Sequence, residues 1–548
     1  MDKQVKYGKQ VREELKKGVN MICDPVRSTL GAKGRLVAIF DSLRGLHVTK
    51  DGYTVAKSIK SDKTQSIAIN IVMQAIDNTN STVGDATTTT AILCKSLVNG
   101  GLDAIDKGYE PLELITGIEK ALDFVREELM RVSVPVDDRI AQIAKISGNN
   151  RQDIGDILEE AFSEAGTHED SSIKCYLTED DKTTVDIQSG YKIERGFLRD
   201  AYINDASGKC VYKNPYILMI HAKITNFRDF MPLLNKCVEA KRALVVIADK
   251  FEGEFLNSVS ISLQKQVQQL ETQGGGYFQQ IGLIQNPMAL QSADEMYGDI
   301  AAVVGSKGSH LTTIINDINL EDLGTAEEVI ISRANSLIIS GGGNQEDVDA
   351  KIKALRVQLA DDDELTPFQK SVIKGRIESL CGTHATIRVG GANEVEVLEL
   401  KDLYDDALSA VRAALKEGIV CGGGTAFLRI ARRMRDMKYV KKNKWYNVFG
   451  AVSSEQAGWN LLHDALLSPF DNIMNNAGLD TKSVSKKILT KDFDFNIGYN
   501  ILKNEVVNMI SEGIIDPAMA ERVAIENAVS VASLMYNMDG VVVEDMRK

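Results

Sequence analysis

The chain has 548 residues, with 64 Lys and Arg against 77 Asp and Glu, so it carries a formal charge of −13. That balance excludes a general nucleic-acid binder, which needs a basic excess to neutralise phosphates. A content of 44% hydrophobic and 26% charged residues excludes collagenous, disordered and disulfide-scaffold classes. Length alone predicts roughly three or four domains. In chain order, Val11, Leu15, Val19, Ile22, Val26 and Leu30 recur at steps of three or four and predict a first helix with one apolar stripe. A turn over residues 29–35 leads into a β-like run, 36–40. A second apolar helix is expected over 66–79 and a third after Asp85. Beyond Ser133-Val134-Pro135 come a short helical piece and polar β-like segments between 173 and 187. From Gly190 to Gly382 strands and helices alternate, and 216–220 and 243–248 read as buried strands. One long polar helix is expected over 345–380, carrying the acid run at 361–364, which reads as a solvated face. The last third is again helix-rich. A helix-rich block thus brackets an α/β block, predicting an α+β multidomain chain in which one domain is inserted into another.

Seven cysteines are scattered along the chain without a CxxC pair. That pattern excludes a zinc ribbon or redox motif and predicts a reducing, cytoplasmic compartment. The first residues lack the apolar core of a signal peptide, and no run of about 18 apolar residues occurs. An intracellular chain with no membrane partner is expected.

The strongest chemical signal is Gly84-Asp85-Ala86-Thr87-Thr88-Thr89-Thr90 ahead of Ala91-Ile92-Leu93. Consecutive β-branched threonines suit a helix interior poorly. At a helix start, the free N–H groups and the positive dipole end favour an anion. Threonine hydroxyls add phosphate donors, and Asp85 is placed to hold a hard cation against them. Plain N-capping is the competing account. Thr29-Leu30-Gly31-Ala32-Lys33-Gly34-Arg35 reads either as a ligand loop with two cations or as a solvent turn. Thr49-Lys50-Asp51-Gly52-Tyr53 reads as an Asp-Gly turn punctuating a strand pair. Triple glycines at 274–276, 341–343 and 422–424 permit tight turns or close backbone approach. No GxxxxGK[ST] sequence is present, so a P-loop is not the cradle.

Together, segments 29–35, 49–52, 84–90, 422–424 and Ile515-Asp516-Pro517 resemble group I chaperonins, the GroEL family, in order and spacing. The likeness runs nearly end to end. It is densest before residue 110 and after Gly390, where Val389-Gly390-Gly391-Ala392-Asn393-Glu394 and Asp406-Ala407-Leu408-Ser409-Ala410 follow the family pattern. The resemblance implies an ATP-dependent folding chaperone and ATPase that forms homo-oligomeric rings around non-native polypeptide clients. It implies an equatorial domain (1–131 and 417–548), an intermediate domain (132–188 and 385–416) and an α/β apical domain (189–384). It places ATP against Thr29, Leu30, Gly31, Lys50, Asp85, Ala86, Thr87, Thr88, Thr89, Gly423, Asn500, Ile501 and Asp516. Asp85 would bind Mg²⁺, and the carbonyls of Thr29 and Lys50 would bind K⁺. Asp51 and Asp406 match the positions that align the attacking water, Asp406 arriving when its domain swings down. Read without the resemblance, Asp402, Asp405 and Asp406 are acids preceding an Ala-rich helix.

Client contact would fall on Phe197, Leu198, Tyr202, Met231, Leu234, Leu256 and Ile261, with ordinary core packing as the competing account for each. Met231 and Leu234, three apart, are expected to share a helix face. Gly190 and Gly382 match hinge positions, and Arg195 and Glu394 match positions that pair between subunits. Several positions depart from the family: Ala86 stands for a glycine, Ala32 for a proline, and Arg199, Asp200 and Ser260 add polar groups to the client face. That polarity narrows the client range or weakens docking of a GroES-like co-chaperonin. Asp471 and Asp480 put like charges where the family pairs opposite ones, predicting a weak or nucleotide-dependent double ring. The alternatives are a structural or holdase ring without productive cycling, and a metabolic phosphotransferase.

Overall fold

The computed structural model describes residues 3–41, 45–61, 64–167, 171–178, 180–205, 208–273, 281–286, 290–308, 318–360, 365–436, 452–490 and 494–544. The chain forms two compact units. One comprises Met1–Glu160, Leu177–Thr183 and Val389–Lys548, and the other Ala161–Tyr176 and Thr184–Arg388.

The first unit opens with strand β1 (Lys3–Tyr7), helix α1 (Lys9–Arg27), the hairpin β2 (Val37–Asp41) and β3 (Gly45–Thr49), and α2 (Gly52–Ser58). Helices α3 (Gln65–Val83), α4 (Thr87–Asp106), α5 (Pro111–Val132), α6 (Ile140–Ser147) and α7 (Gln152–Ala165) follow. The α1 stripe is buried at Val11, Leu15, Val19, Ile22 and Val26, whereas Leu30 lies past the helix end. A Cβ at Gly18 would clash with Gln65 and Ala68, so this glycine lets α1 lie directly on α3. The Asp-Gly expectation at 51–52 is corrected. Asp51 ends the hairpin and caps α2, accepting from Tyr53 N at 3.3 Å and Thr54 N at 2.7 Å.

The second unit contains β4 (Ser172–Leu177), β5 (Thr184–Ser189), β6 (Tyr191–Ile193), β7 (Cys210–Lys213), β8 (Tyr216–Ile224), α8 (Met231–Glu239), β9 (Leu244–Phe251) and α9 (Gly253–Gln273). It continues with β10 (Ile281–Gln285), α10 (Leu290–Val304), β11 (Gly324–Ile331), β12 (Ser336–Gly341), α11 (Gln345–Ala360), α12 (Pro367–Leu380) and β13 (Thr383–Val389). Its main sheet runs β10-β9-β8-β11-β12-β6, with β7 on β11 and a parallel β8–β9–β10 part. The two expected strands are β8 and β9, and their apolar runs are buried. A second sheet has the order β4-β13-β5. The single helix expected over 345–380 is two. Thr366 and Gln369 form a capping box with Pro367 at the first turn, which starts a new helix rather than continuing the old one. The acid run at 361–364 and the glycines at 274–276 lie outside the described residues.

The chain then returns to the first unit through α13 (Glu394–Glu417), β14 (Ile419–Cys421), α14 (Thr425–Asp436), α15 (Ser454–Asn476), α16 (Thr481–Leu489), β15 (Ile497–Asn500), β16 (Glu505–Asn508), β17 (Ile515–Pro517), α17 (Ala518–Tyr536) and β18 (Gly540–Glu544). Strand β18 pairs antiparallel with β1, and β14 with β17. Helix α17 packs on α3, α4 and α5, and α6 packs on α13. Asp402, Asp405 and Asp406 lie well inside α13, not ahead of a helix, so the N-terminal-acid account is corrected.

Candidate functional site

The site grows from the start of α4. Gly84 and Ala86 have φ of +64° and +61°, turning the chain left-handed between α3 and α4. Helix α4 therefore begins without a side-chain cap, and its first N–H groups are left for a ligand. Thr90 belongs to the core: its hydroxyl lies 3.0 Å from Ala86 O and 3.0 Å from Thr79 Oγ1. Thr87, Thr88 and Thr89 line a cavity of about 960 Å³.

Every residue expected to touch nucleotide or water lines this one cavity: Thr29, Leu30, Gly31, Lys50, Asp51, Asp85, Ala86, Thr87, Thr88, Thr89, Asp406, Gly423, Asn500, Ile501 and Asp516. They come from segments far apart in sequence, brought together by close backbone approaches. A Cβ at Gly52 would strike Thr88 Oγ1 and stand 3.3 Å from Thr29 Oγ1. At Gly84 it would meet Ser409 and the Asp406 backbone, so α13 rests directly on the loop ahead of α4. Asn476 Nδ2 donates to Arg27 O and Leu30 O, both at 3.0 Å, tying α15 to the end of α1. Leu30 packs with Phe470, Ile473, Tyr499 and Ile501, giving the cavity an apolar wall. On the opposite pairing, Asp516 faces Val420 across β14–β17. A Cβ at Gly422 would stand 3.1 Å from the Asp516 carboxylate.

The electrostatics are acidic. Asp85 accepts from Ala86 N at 2.6 Å and Ser147 Oγ at 2.7 Å. Burial, reinforced by Asp51, Asp85, Asp402 and Asp405, pushes the Asp406 carboxyl up to about 8. Burial and Asp85 raise Asp516, and burial and Asp516 raise Glu521 well above the carboxylate range. Lys50, Lys145 and Lys503 also line the cavity. Ser147 and Glu521 escaped the sequence reading. Glu521 had a signal: it lies on the stripe with Ala524, Ile525 and Ala528, all buried, where a carboxylate is out of place.

The second unit divides the expected client residues. Met231 and Ile261 are exposed, and Phe197, Leu198 and Leu256 are half-buried against the core. Tyr202 and Leu234 are corrected, being buried at 3% and 2% exposure. Helix α8 buries Leu233, Leu234 and Cys237. Met231, three residues before Leu234, adjoins it on the helix surface but lies at the solvent edge of that stripe, so only Leu234 faces the core. Tyr202 donates to Leu256 O at 3.1 Å. Arg199 donates to Ser260 at 3.3 Å, so the two polar departures bond to each other. Gly190 N donates to Gly382 O, joining the two hinge positions. Arg195 is exposed, and the Glu394 side chain lies outside the described residues. In the first unit Asp480 caps α16 through Ser483 N at 3.1 Å, and burial raises the Asp471 carboxyl.

An uncapped helix start, an acid-rich cavity and a polypeptide split around an α/β unit define a multidomain protein with a ligand cavity at the start of α4. The chain belongs to the TCP-1/cpn60 chaperonin family, whose model matches residues 22–546. It is 34% identical over 552 aligned residues to the mitochondrial 60 kDa heat shock protein homolog 2 of Drosophila melanogaster, covering 99% of this chain and 90% of that protein. It is also 34% identical to heat shock protein 60A of the same organism, over 99% of this chain and 91% of that one. Among solved structures it is similar to the chaperonin gp146 of bacteriophage EL 2 (Pseudomonas aeruginosa), solved in the presence of ATP-BeFx. There the TM-score is 0.67 at 18% identity, with 99% of each chain covered, which shows the shared fold. It is thus an ATP-dependent folding chaperonin, an ATPase of a family that forms rings and acts on client polypeptides. No helix among the described residues is long and apolar enough to cross a membrane.

Proposed function

We propose that the cavity of the first unit binds and hydrolyses ATP, with Asp51 and Asp406 aligning the attacking water. The observation that supports this most is Asp406 sharing one cavity with Asp51, Asp85 and the α4 start. The uncapped N–H groups and the hydroxyls of Thr87, Thr88 and Thr89 take the phosphates. The apolar wall of Leu30 and Ile501 takes the base, and Gly423, Asn500 and Asp516 close on base and ribose. No cluster of three His, Cys, Asp or Glu among the described residues could hold a metal. This suits Mg²⁺, which is usually held by one or two carboxylates together with substrate phosphates. Asp85 would hold it, because each of its oxygens accepts one bond and keeps a further lone-pair site. The carbonyls of Thr29 and Lys50 would hold K⁺. These cations would supply charge neutralisation for the phosphates and relieve the crowding of acids.

In the reaction the water oxygen forms a bond to the γ-phosphorus, and the bond to the bridging oxygen of ADP breaks. Asp51, fixed by its cap bonds to α2, orients the water, and Asp406 accepts its proton. A carboxyl held near 8 is a stronger base than an ordinary aspartate, provided it is ionised. Because Asp406 rides on α13, hydrolysis requires α13 to be seated on Gly84, which makes closure a gate. Asp406→Ala should slow turnover by about 10²- to 10⁴-fold while ATP binding persists; normal steady-state turnover removes Asp406 from the mechanism. Asp85→Ala should abolish the Mg²⁺ dependence of binding, read by titrating labelled ATP with and without Mg²⁺. An unchanged affinity counts against the metal role.

We retain the three-domain division, with 1–131 and 417–548, 132–188 and 385–416, and 189–384. The packing of α6 on α13 supports an intermediate domain drawn from both halves of the chain. Ring assembly is supported by one face of the β2–β3 hairpin, where Leu36, Phe40, Leu46 and Val48 are all exposed. Clients bind at Met231 and Ile261, with Phe197, Leu198 and Leu256 beside them. A GroES-like co-chaperonin competes for the same apolar side chains. The acids at 471 and 480 support a nucleotide-dependent double ring. Native mass measurement over ATP and ADP levels checks this, and double rings in every state defeat it. The seven cysteines are all free thiols, which supports a cytoplasmic, reducing location.

A further inference from the structure

Beside its apolar wall the cavity has a polar rim, built where β15 turns into β16 and where β16 leads to β17. Tyr499 and Ile501 belong to the wall, and Asn500 between them is buried at 7% exposure. Asn500 Oδ1 accepts from Leu502 N at 3.0 Å and Lys503 N at 3.1 Å, which fills both of its lone pairs. Those two donors also fix the direction of the amide, because the flipped group would set N–H against N–H. Asn500 Nδ2 therefore points the other way and lies 3.5 Å from Glu512 Oε2. Lys503 Nζ donates to the same oxygen at 2.5 Å. The Lys503 ammonium holds the Glu512 carboxyl below the usual carboxylate range, so it is ionised at neutral pH. Glu512 Oε1 takes no bond among the described residues, and Asn500, Lys503 and Glu512 all line the cavity. The rim thus presents a charged acceptor, Glu512, next to a donor, the second amide hydrogen of Asn500.

We infer that Glu512, held by Lys503, selects the base at this site: its carboxylate accepts from the 6-amino group of adenine while Asn500 Nδ2 donates to ring N1. This rests on the cavity being the nucleotide site and names the residues that choose among nucleotides there. An adenine edge offers a donor beside an acceptor, which is the complement of this rim. A 6-oxopurine offers the reverse, an acceptor at position 6 beside an N1–H donor. Its oxygen would face the Glu512 carboxylate and its N–H would face the Asn500 amide, leaving like groups opposed. A site built to hydrogen-bond one polar group rejects an analogue that cannot supply it. Stability alone does not account for the arrangement, since an exposed Lys–Glu pair contributes little to a fold.

The test measures binding of ATP and of ITP, both with Mg²⁺, to the full chain and three variants. ITP carries a 6-oxo group and N1–H where ATP carries the 6-amino group and bare N1. The native chain should bind ATP about tenfold or more tightly than ITP. Glu512→Gln presents both a donor and an acceptor, and should bring the two affinities within about threefold by strengthening ITP binding. Glu512→Ala should reach a similar ratio by weakening ATP binding. Lys503→Met frees the carboxylate and should narrow the native ratio about threefold. A native ratio below about threefold, a native ratio retained in Glu512→Ala, or equal losses of both nucleotides in the Glu512 variants would each overturn the inference. So would Gln and Ala variants that both fail to fold, since Glu512 would then support the fold instead. An unchanged ratio in Lys503→Met would remove Lys503 from the device. A native chain that binds neither nucleotide would instead refute the nucleotide site itself.

Discussion

Buried acids are treated in opposite ways in the two units. In the second, Asp299 is fully buried but gripped by Arg376 through bonds of 2.7 and 3.0 Å, with Lys351 at 3.6 Å. In the first, Asp406, Asp516 and Glu521 are pushed towards their neutral forms by burial and by other acids, and among the described residues no Lys or Arg forms an ion pair with them. A compensated acid is part of the packing, whereas a crowd of uncompensated acids around a cavity awaits something positive. On the proposed function, Mg²⁺ held by Asp85 together with the ATP phosphates would meet that need. The contrast separates polar burial that maintains a fold from polar burial that serves a reaction.

Breaking the compensated pair should have a large effect on stability. Arg376→Met leaves buried Asp299 with only the more distant Lys351 and should destabilise the second unit by about 3 kcal/mol, read by denaturant unfolding. A loss below about 1 kcal/mol would mean that Asp299 does not depend on Arg376. Next comes the division of the client residues. Leu234→Ala should cost about 3 kcal/mol as a core truncation. Met231→Ser and Ile261→Ser should stay within about 0.5 kcal/mol of native stability and weaken capture of a denatured client. Client binding lost through Leu234 alone, with stability intact, would restore Leu234 to the surface.

A third stability effect has the opposite sign. Asp406 has a folded pKa raised from the usual carboxylate value to about 8. Stability linked to it is fully present below about pH 4 and is lost progressively as pH rises towards 8. Removing the carboxyl should therefore stabilise the nucleotide-free chain at neutral pH. Each tenfold change in proton affinity is worth about 1.4 kcal/mol, and relaxation and water entry cut the sum to a net gain of about 1–2 kcal/mol. Asp406→Asn should show that gain at pH 7–8 and little at pH 4. A destabilised variant at pH 8 would mean that Asp406 is compensated like Asp299.

The first unit's site was legible because its residues sit in short motifs with special backbone needs. The threonine run after Gly84 and the glycines at 422–424 are local demands that a sequence states openly, whereas the cap at Asp51 was masked by the turn habit of Asp-Gly. The alternation of helices and strands was legible for the same reason. Exposure was not. Tyr202 and Leu234 look as suitable for a client face as Met231 and Ile261, and only tertiary packing sorts them. The split between α11 and α12 was hidden because a polar acid run masked the capping box at Thr366. Ser147 was hidden because its partner, Asp85, had a role that seemed complete without it.

We propose above all that Asp51 and Asp406, far apart in sequence but lining one cavity, act on one water there. The most direct test is ATP turnover at saturating nucleotide in Asp51→Asn, Asp406→Asn and the double variant, with Asn chosen because it can still cap α2. Groups acting as a unit are non-additive. The double variant should therefore be about as slow as the slower single one. Losses that multiply, or normal turnover in either single variant, would contradict the account.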